Sequence, residues 1–127
     1  MDIEKKLLYT KDHEWINIEN DYAFIGITDY AQSELGDIIF VELPEINDSF
    51  EIMDTFGTLE AVKTVADLFS PIKCKIIDVN NNIDSRPETI NSDPYGEGWI
   101  LKVKVENKDD LNDLLSYNEY SKIIDNG

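Results

Sequence analysis

Short apolar runs broken by turn residues dominate the chain, and helical spacing is confined to brief segments and to the C-terminal end. Tyr22-Ala23-Phe24-Ile25-Gly26-Ile27 is rich in aromatic and β-branched residues and predicts a strand. Thr28 or Asp29 then caps a short helix over Tyr30-Ala31-Gln32-Ser33-Glu34-Leu35, which Gly36 stops. Asp37 through Leu43 is a further strand candidate ended by Pro44. Its unbroken apolar stretch Ile38-Ile39-Phe40-Val41 predicts burial on both faces.

In the middle of the chain, Thr55-Phe56-Gly57-Thr58-Leu59-Glu60-Ala61 and Val65 through Phe69 predict two strands flanking Val62-Lys63-Thr64. Lys63 therefore falls at or beside a hairpin tip. Ile72 to Val79 alternates, with Ile72, Cys74, Ile76 and Asp78 on one face and Lys73, Lys75, Ile77 and Val79 on the other. It runs into Asn80-Asn81-Asn82, read as a loop. Pro87, Pro94, Gly96 and Gly98 punctuate the stretch from Asp84 to Gly98, which reads as a longer loop. Trp99 to Val105 resumes as a strand. Asp109 to Leu115 and Tyr117 to Ile124 read as helices, the second with the capping-box spacing of Ser116 and Glu119. The class is mainly β, or α+β, with a helical C-terminal end.

At 127 residues and 42% hydrophobic content the chain supports one domain over 1–127, its core spanning about 9–106 and a C-terminal extension about 108–125. The excess of 27 Asp+Glu over 11 Lys+Arg, a formal charge of -16, repels a phosphate backbone and an anionic bilayer alike. Neither nucleic acid nor membrane is expected as a partner. The acidity reads first as a device for solubility, with docking onto basic partner surfaces as the sharper alternative, since the acids recur along the whole chain. Cys74 is the one cysteine, which excludes an intrachain disulfide and a multi-thiolate zinc site. Met1-Asp2-Ile3-Glu4-Lys5-Lys6 has neither an apolar signal core nor the Arg-rich, acid-poor character of a transit peptide. The expected location is a bacterial cytoplasm, or a mitochondrion for a processed organellar form, and the expected state is a monomer.

Enzyme chemistry finds few residues to work with. His13 is the one histidine, and its setting beside Glu14 and Trp15 reads as packed or hydrogen-bonded rather than catalytic. The carboxylates show no spacing that selects an acid/base pair. The glycines stand in unrelated contexts and form no phosphate cradle. A lysine on a turn is ordinarily a solvated charge, yet a carrier requires a primary amine on a flexible stem, held out by a rigid turn. Lys63 meets that need.

The segment Glu60-Ala61-Val62-Lys63-Thr64-Val65-Ala66-Asp67-Leu68-Phe69-Ser70-Pro71 resembles the lipoyl-attachment segment of glycine cleavage H proteins. Four further blocks stand in that family's order. They are Tyr9-Thr10-Lys11-Asp12-His13-Glu14-Trp15; Gly26 to Gln32 with Leu35-Gly36-Asp37; Val41-Glu42-Leu43-Pro44; and Asn91 to Trp99. The resemblance covers about Tyr9 to Tyr120. It departs at Asn47, where the family commonly has glycine, and at Lys73-Cys74-Lys75, which replaces a usual Ser-Gly-Glu turn.

The resemblance implies a lipoyl/biotinyl-type flattened barrel of two antiparallel sheets with short helices. It implies lipoate bound to Lys63 as an amide, with Glu60 and Val62 in the segment that the modifying enzyme recognises. Glu14 and Asp67, with Asp12 beside them, match positions that hold the loaded arm in a cleft. The implied role is that of a non-catalytic carrier, passing the aminomethyl group of glycine from a pyridoxal-phosphate decarboxylase to a tetrahydrofolate-dependent aminomethyltransferase. A dihydrolipoyl dehydrogenase using FAD and NAD reoxidises the arm, and a lipoate ligase or lipoyl transferase installs it. The alternative is an H-like relay that donates lipoate to other enzymes. A biotin carrier would place methionine on both sides of the lysine, where this chain has Val62 and Thr64. The lipoyl domain of an acyltransferase would continue into a catalytic domain, where this chain stops at Gly127. An unmodified interaction module is the remaining rival.

Overall fold

The computed structural model describes residues 3–126; Met1 and Asp2, which open the N-terminal segment read above, and Gly127 lie outside the described residues. Strands β1 (Leu8–Tyr9), β2 (Glu14–Glu19) and β3 (Tyr22–Ile27) form an antiparallel meander. Asn20 turns the β2–β3 hairpin at a φ of 58°, a left-handed conformation that asparagine tolerates better than most residues. Trp15 faces Gly26 across the pair, and a Cβ on Gly26 would come within 2.6 Å of the indole. The glycine thus makes room for the ring, whose Nε1–H donates to the carbonyl of Pro94 at 2.9 Å.

Helix α1 spans Ile3–Lys6 and α2 spans Asp29–Leu35, and Thr28 caps α2 by accepting the N–H of Ala31. Next come β4 (Ile38–Glu42), β5 (Ser49–Phe50), β6 (Thr55–Ala61), β7 (Val65–Phe69) and β8 (Cys74–Val79). Helices α3 (Asn81–Ser85) and α4 (Thr89–Ser92) lead to β9 (Leu101–Val105), a 3₁₀ turn over Lys108–Asp113, and α5 (Tyr117–Asn126). The strands form a six-stranded sheet ordered β1-β2-β3-β9-β8-β5 and a three-stranded sheet ordered β4-β6-β7, all pairs antiparallel. The two-sheet expectation holds, but the sheets pair separately and do not close into a barrel. One hydrophobic cluster draws on both, joining Ile16, Ile25 and Val103 of the larger sheet to Val41, Leu59 and Leu68 of the smaller. No helix among the described residues is long and apolar enough to cross a membrane.

Several local expectations are corrected. In β4, Ile38 and Val41 are buried, but Ile39 and Phe40 are 54% and 53% exposed. The strand lies at the edge of a sheet with one uncovered face, and a bulge between Ile38 and Phe40 breaks its alternation. In β8, a bulge between Ile76 and Asp78 turns Asp78 outward, away from the face of Cys74 and Ile76. The Asn80-Asn81-Asn82 loop reading gives way to α3, which begins at Asn81, and the Asp84–Gly98 stretch holds the end of α3 and all of α4 instead of a continuous loop. Asn80, buried, accepts the N–H of Asn82 to cap α3 and donates to the carbonyls of Glu97 and Trp99. Ile83 and Ile90 then plug the core from those short helices. Asn47 takes a φ of 78°, which accounts for the glycine common at that position in the resembling family. Cys74 is buried within β8, as the alternating-strand reading has it, where the resembling family commonly has a turn. The first C-terminal helix is the 3₁₀ turn, ending at Asp113. Ser116 and Glu119 make the reciprocal bonds of a capping box at α5.

At Gly57 the backbone of β6 passes close to β4: a Cβ there would lie 2.4 Å from the carbonyl oxygen of Glu42. Gly57→Ala is expected to push β4 away from β6 and destabilise the fold by about 2 kcal/mol or more. Urea denaturation of the two proteins checks this, and equal midpoints would refute the close approach.

Candidate functional site

Lys63 stands at the tip of the β6–β7 hairpin. The N–H of Ala61 donates to the carbonyl of Thr64 at 2.8 Å, closing the turn, and the N–H of Val62 donates to the carbonyl of Asp37 at 3.0 Å. The tip is therefore braced both within the hairpin and against the start of β4. Neither Val62 nor Lys63 has a positive φ, so the turn forms without glycine. Lys63 is exposed and forms no ion pair among the described residues. Its stem passes over Gly36, the residue that ends α2 at a φ of 80°; a Cβ on Gly36 would sit 3.4 Å from Cε of Lys63.

A cleft of about 310 Å³ opens between α2, β7 and the loop that joins β1 to β2. Its floor is apolar, made by Ile27, Ala31, Leu35, Leu59 and Leu68. Its polar groups are Asp12, His13, Tyr30, Glu34 and Asp67. The Thr10 hydroxyl organises the loop, accepting the N–H groups of Asp12 and Glu14 at 3.2 Å each. Within this loop His13 is held at a φ of 69°.

Asp12 and Asp67, both exposed, come together in this cleft. Glu14 does not line it. Its side chain, 2% exposed, reaches from β2 to accept the N–H of Phe69 at 2.9 Å and the Thr10 hydroxyl at 3.1 Å. It borders a second hollow of about 410 Å³, shared with Asp12 and bounded by Ile52, Met53 and Pro71. Burial pushes the Glu14 carboxyl up to about 7, against the opposing pull of its Phe69 and Thr10 bonds and with a small further push from Asp12.

Glu60 and Val62, the residues read as recognition elements, are both exposed, Val62 at 72%. Pairing sets Phe40, Glu60 and Val65 in one cross-strand row and Glu42, Thr58 and Asp67 in the next. The open face beside Lys63 thus mixes apolar and acidic side chains. Residues that the sequence reading did not single out as site candidates are Glu34 and Tyr30. The signal was present: Tyr30 with Glu34 and Ala31 with Leu35 are pairs spaced i, i+4, which places all of them on one side of α2. His13 also belongs to the cleft, through a hydrogen bond to Tyr120 that sequence could not reveal.

Comparison with known proteins finds relatives over nearly the whole chain. The model of the family described as "Glycine cleavage H-protein" matches residues 7–127. The glycine cleavage system H protein of Staphylococcus epidermidis is 48% identical over 124 residues, and that of Halothermothrix orenii 44% identical over 125, each match covering 98% of both chains. The crystal structure of a glycine cleavage system H protein from Mycobacterium marinum superposes with a TM-score of 0.87 at 36% identity, over 93% of this chain and 95% of that one. On the family match and these near-full-length relatives, the chain belongs to the glycine cleavage H-protein family, the lipoyl-bearing carriers of the glycine cleavage system.

Proposed function

We propose that this chain carries lipoate as an amide on Nζ of Lys63 and shuttles the aminomethyl group of glycine between the enzymes of the system. The observation that carries the reading is an exposed lysine on a braced hairpin tip, beside a cleft with an apolar floor and an acidic rim. When attached, the lipoyl dithiolane supplies a reducible disulfide that accepts the aminomethyl group and later yields it.

The chain supplies the rest. The floor of Ile27, Leu35, Leu59 and Leu68 shields an alkyl chain from water. Asp67 and Asp12 offer carboxylates to a bound amine, the stronger, charge-assisted kind of hydrogen bond. Glu14 supports them from behind by fixing the end of the strand that bears Asp67. Glu60 and Val62 flank the lysine as contacts for a lipoate ligase or lipoyl transferase. The pyridoxal-phosphate decarboxylase, the tetrahydrofolate-dependent aminomethyltransferase and the flavin-containing dihydrolipoyl dehydrogenase would each meet the same tip. The neighbouring face of Phe40, Val62, Val65, Glu42 and Glu60 suits a partner surface with an apolar patch and a basic rim. Tethering keeps the transferred group at high effective concentration around each docked enzyme.

Lys63→Arg is expected to abolish lipoylation, because a guanidinium stays protonated and is not acylated. Intact mass after expression with lipoate checks this; lipoyl mass on the variant would refute the assignment. Asp67→Asn and Asp12→Asn are each expected to leave lipoylation intact and to speed release of ammonia and formaldehyde from the loaded protein roughly tenfold, the effect of one charge-assisted bond. Decay at the wild-type rate in both variants would remove these residues from the arm's seat.

Glu14 gives a pH prediction. Below its ordinary value of 4.5 the folded and unfolded chains both hold the proton, and burial costs nothing through ionisation. Between 4.5 and about 7 the unfolded chain releases the proton first, so stability falls with rising pH, reaching a cost on the order of 3 kcal/mol above that window. The stability of Glu14→Gln relative to wild type is therefore expected to climb across this window and level off above it. Urea denaturation at stepped pH tests it, and a flat difference would contradict the buried carboxyl.

A further inference from the structure

The Tyr120 hydroxyl on α5 lies 2.8 Å from Nδ1 of His13 and 2.7 Å from Oγ1 of Thr28. The direction of this chain of bonds follows from counting hydrogens. Thr28 is fully buried, and its Oγ1 already accepts the N–H of Ala31 at the cap of α2. Among the described residues, the Tyr120 oxygen is the one acceptor within reach of the Thr28 hydroxyl hydrogen. If Thr28 donates there, the Tyr120 hydrogen goes to His13, Nδ1 is the acceptor, and Nε2 carries the ring hydrogen. The reverse direction would strand a buried hydroxyl hydrogen without a partner.

Burial also lowers the pKa of His13 below its usual 6.5, against the pull of Asp12 and Glu34, so the ring is neutral at pH 7 with a single N–H. That ring lines the cleft, and Nε2 has no partner among the described residues. Asp12, Glu34 and Asp67 bring carboxylate oxygens to the cleft, which accept hydrogen bonds, and Tyr30 brings a hydroxyl. His13 adds a ring N–H donor, held in place by Tyr120, to a cleft rimmed by carboxylates.

We propose that Thr28 and Tyr120 hold His13 in its Nε2–H form, and that this N–H takes the free sulfur of the loaded arm while the carboxylates hold its amine. This rests on the reading of Lys63 as the lipoyl site. A loaded arm has an amine and a sulfur a few bonds apart, and the cleft matches both: acceptors for the one and a donor for the other. The oxidised arm has no amine and engages the cleft with its sulfurs alone, so the cleft discriminates between the two. The C-terminal helix acquires a part in this through Tyr120, which sets the histidine's tautomer from a distance of 107 residues along the chain. His13 and Tyr120 act here by positioning and holding; neither takes part in a bond that forms or breaks.

The sole histidine makes the test direct. Nitrogen NMR of the lipoylated protein is expected to show a bare Nδ1 and a protonated Nε2 in the oxidised form. The Nε2 resonance should shift on loading with glycine and the decarboxylase. Tyr120→Phe should mix the tautomers, suppress the shift and speed release of the bound group about threefold to tenfold, with lipoylation and circular dichroism unchanged. His13→Asn, which tolerates the positive φ, should match it in release rate. An Nδ1–H tautomer, or a loaded protein whose His13 nitrogens match those of the oxidised form, would overturn the inference while leaving the carrier reading intact. Lack of lipoyl mass on wild-type Lys63 would instead overturn both.

Discussion

The carboxyl of Glu14 reaches out of the six-stranded sheet and binds the N–H of Phe69 at the end of β7, in the three-stranded sheet. The bond joins two elements that pair with no common strand, and it lies where their relative placement matters. On one side it fixes the loop presenting Asp12 and His13; on the other it fixes the strand presenting Asp67, whose hairpin ends at Lys63. A side chain buried for this purpose pays in solvation, which is why its proton is held to about pH 7. The cleft is therefore a seam between sheets rather than a feature of either one.

Much of the outline was legible because local signals and tertiary packing agree. The β6–β7 hairpin, the Thr28 cap of α2 and the Ser116–Glu119 box each follow from residues close in sequence, and each forms as read. Where the reading failed, the missing information was nonlocal. Ile38-Ile39-Phe40-Val41 gives no sign that one face of its sheet stays open, since an apolar run looks the same whether or not something covers it. The run of asparagines obscured α3, whose cap Asn80 also bonds to carbonyls up to 19 residues away, and the prolines and glycines after Asp84 obscured α4. The bulge that turns Asp78 outward is set by the register of β8 against β9.

The site divides along the same line. Lys63 and Asp67 sit in one contiguous stretch of sequence and could be picked out together. Asp12 lies 55 positions from Asp67 yet shares its cleft, while Glu14, two residues further on, opens β2 and turns inward to the N–H of Phe69, Asp12 staying in the exposed loop before the strand. Membership of His13 depends on Tyr120, near the other end of the chain. No spacing rule connects those two residues. Only folding does.

The three-stranded sheet leaves β4 and β7 as open edges, with Phe40 and Val65 exposed on its outer face and Ile39 and Val62 beside them. Edges and apolar faces of this kind invite pairing between copies, which in a carrier would cover the lysine it must present. Glu42, Glu60 and Asp67 stand in the same rows, so two such faces brought together would set like charges opposite one another in a molecule already at -16. On the proposed carrier reading, the acids that suit this face to a basic partner also make it a poor match for a second copy of itself.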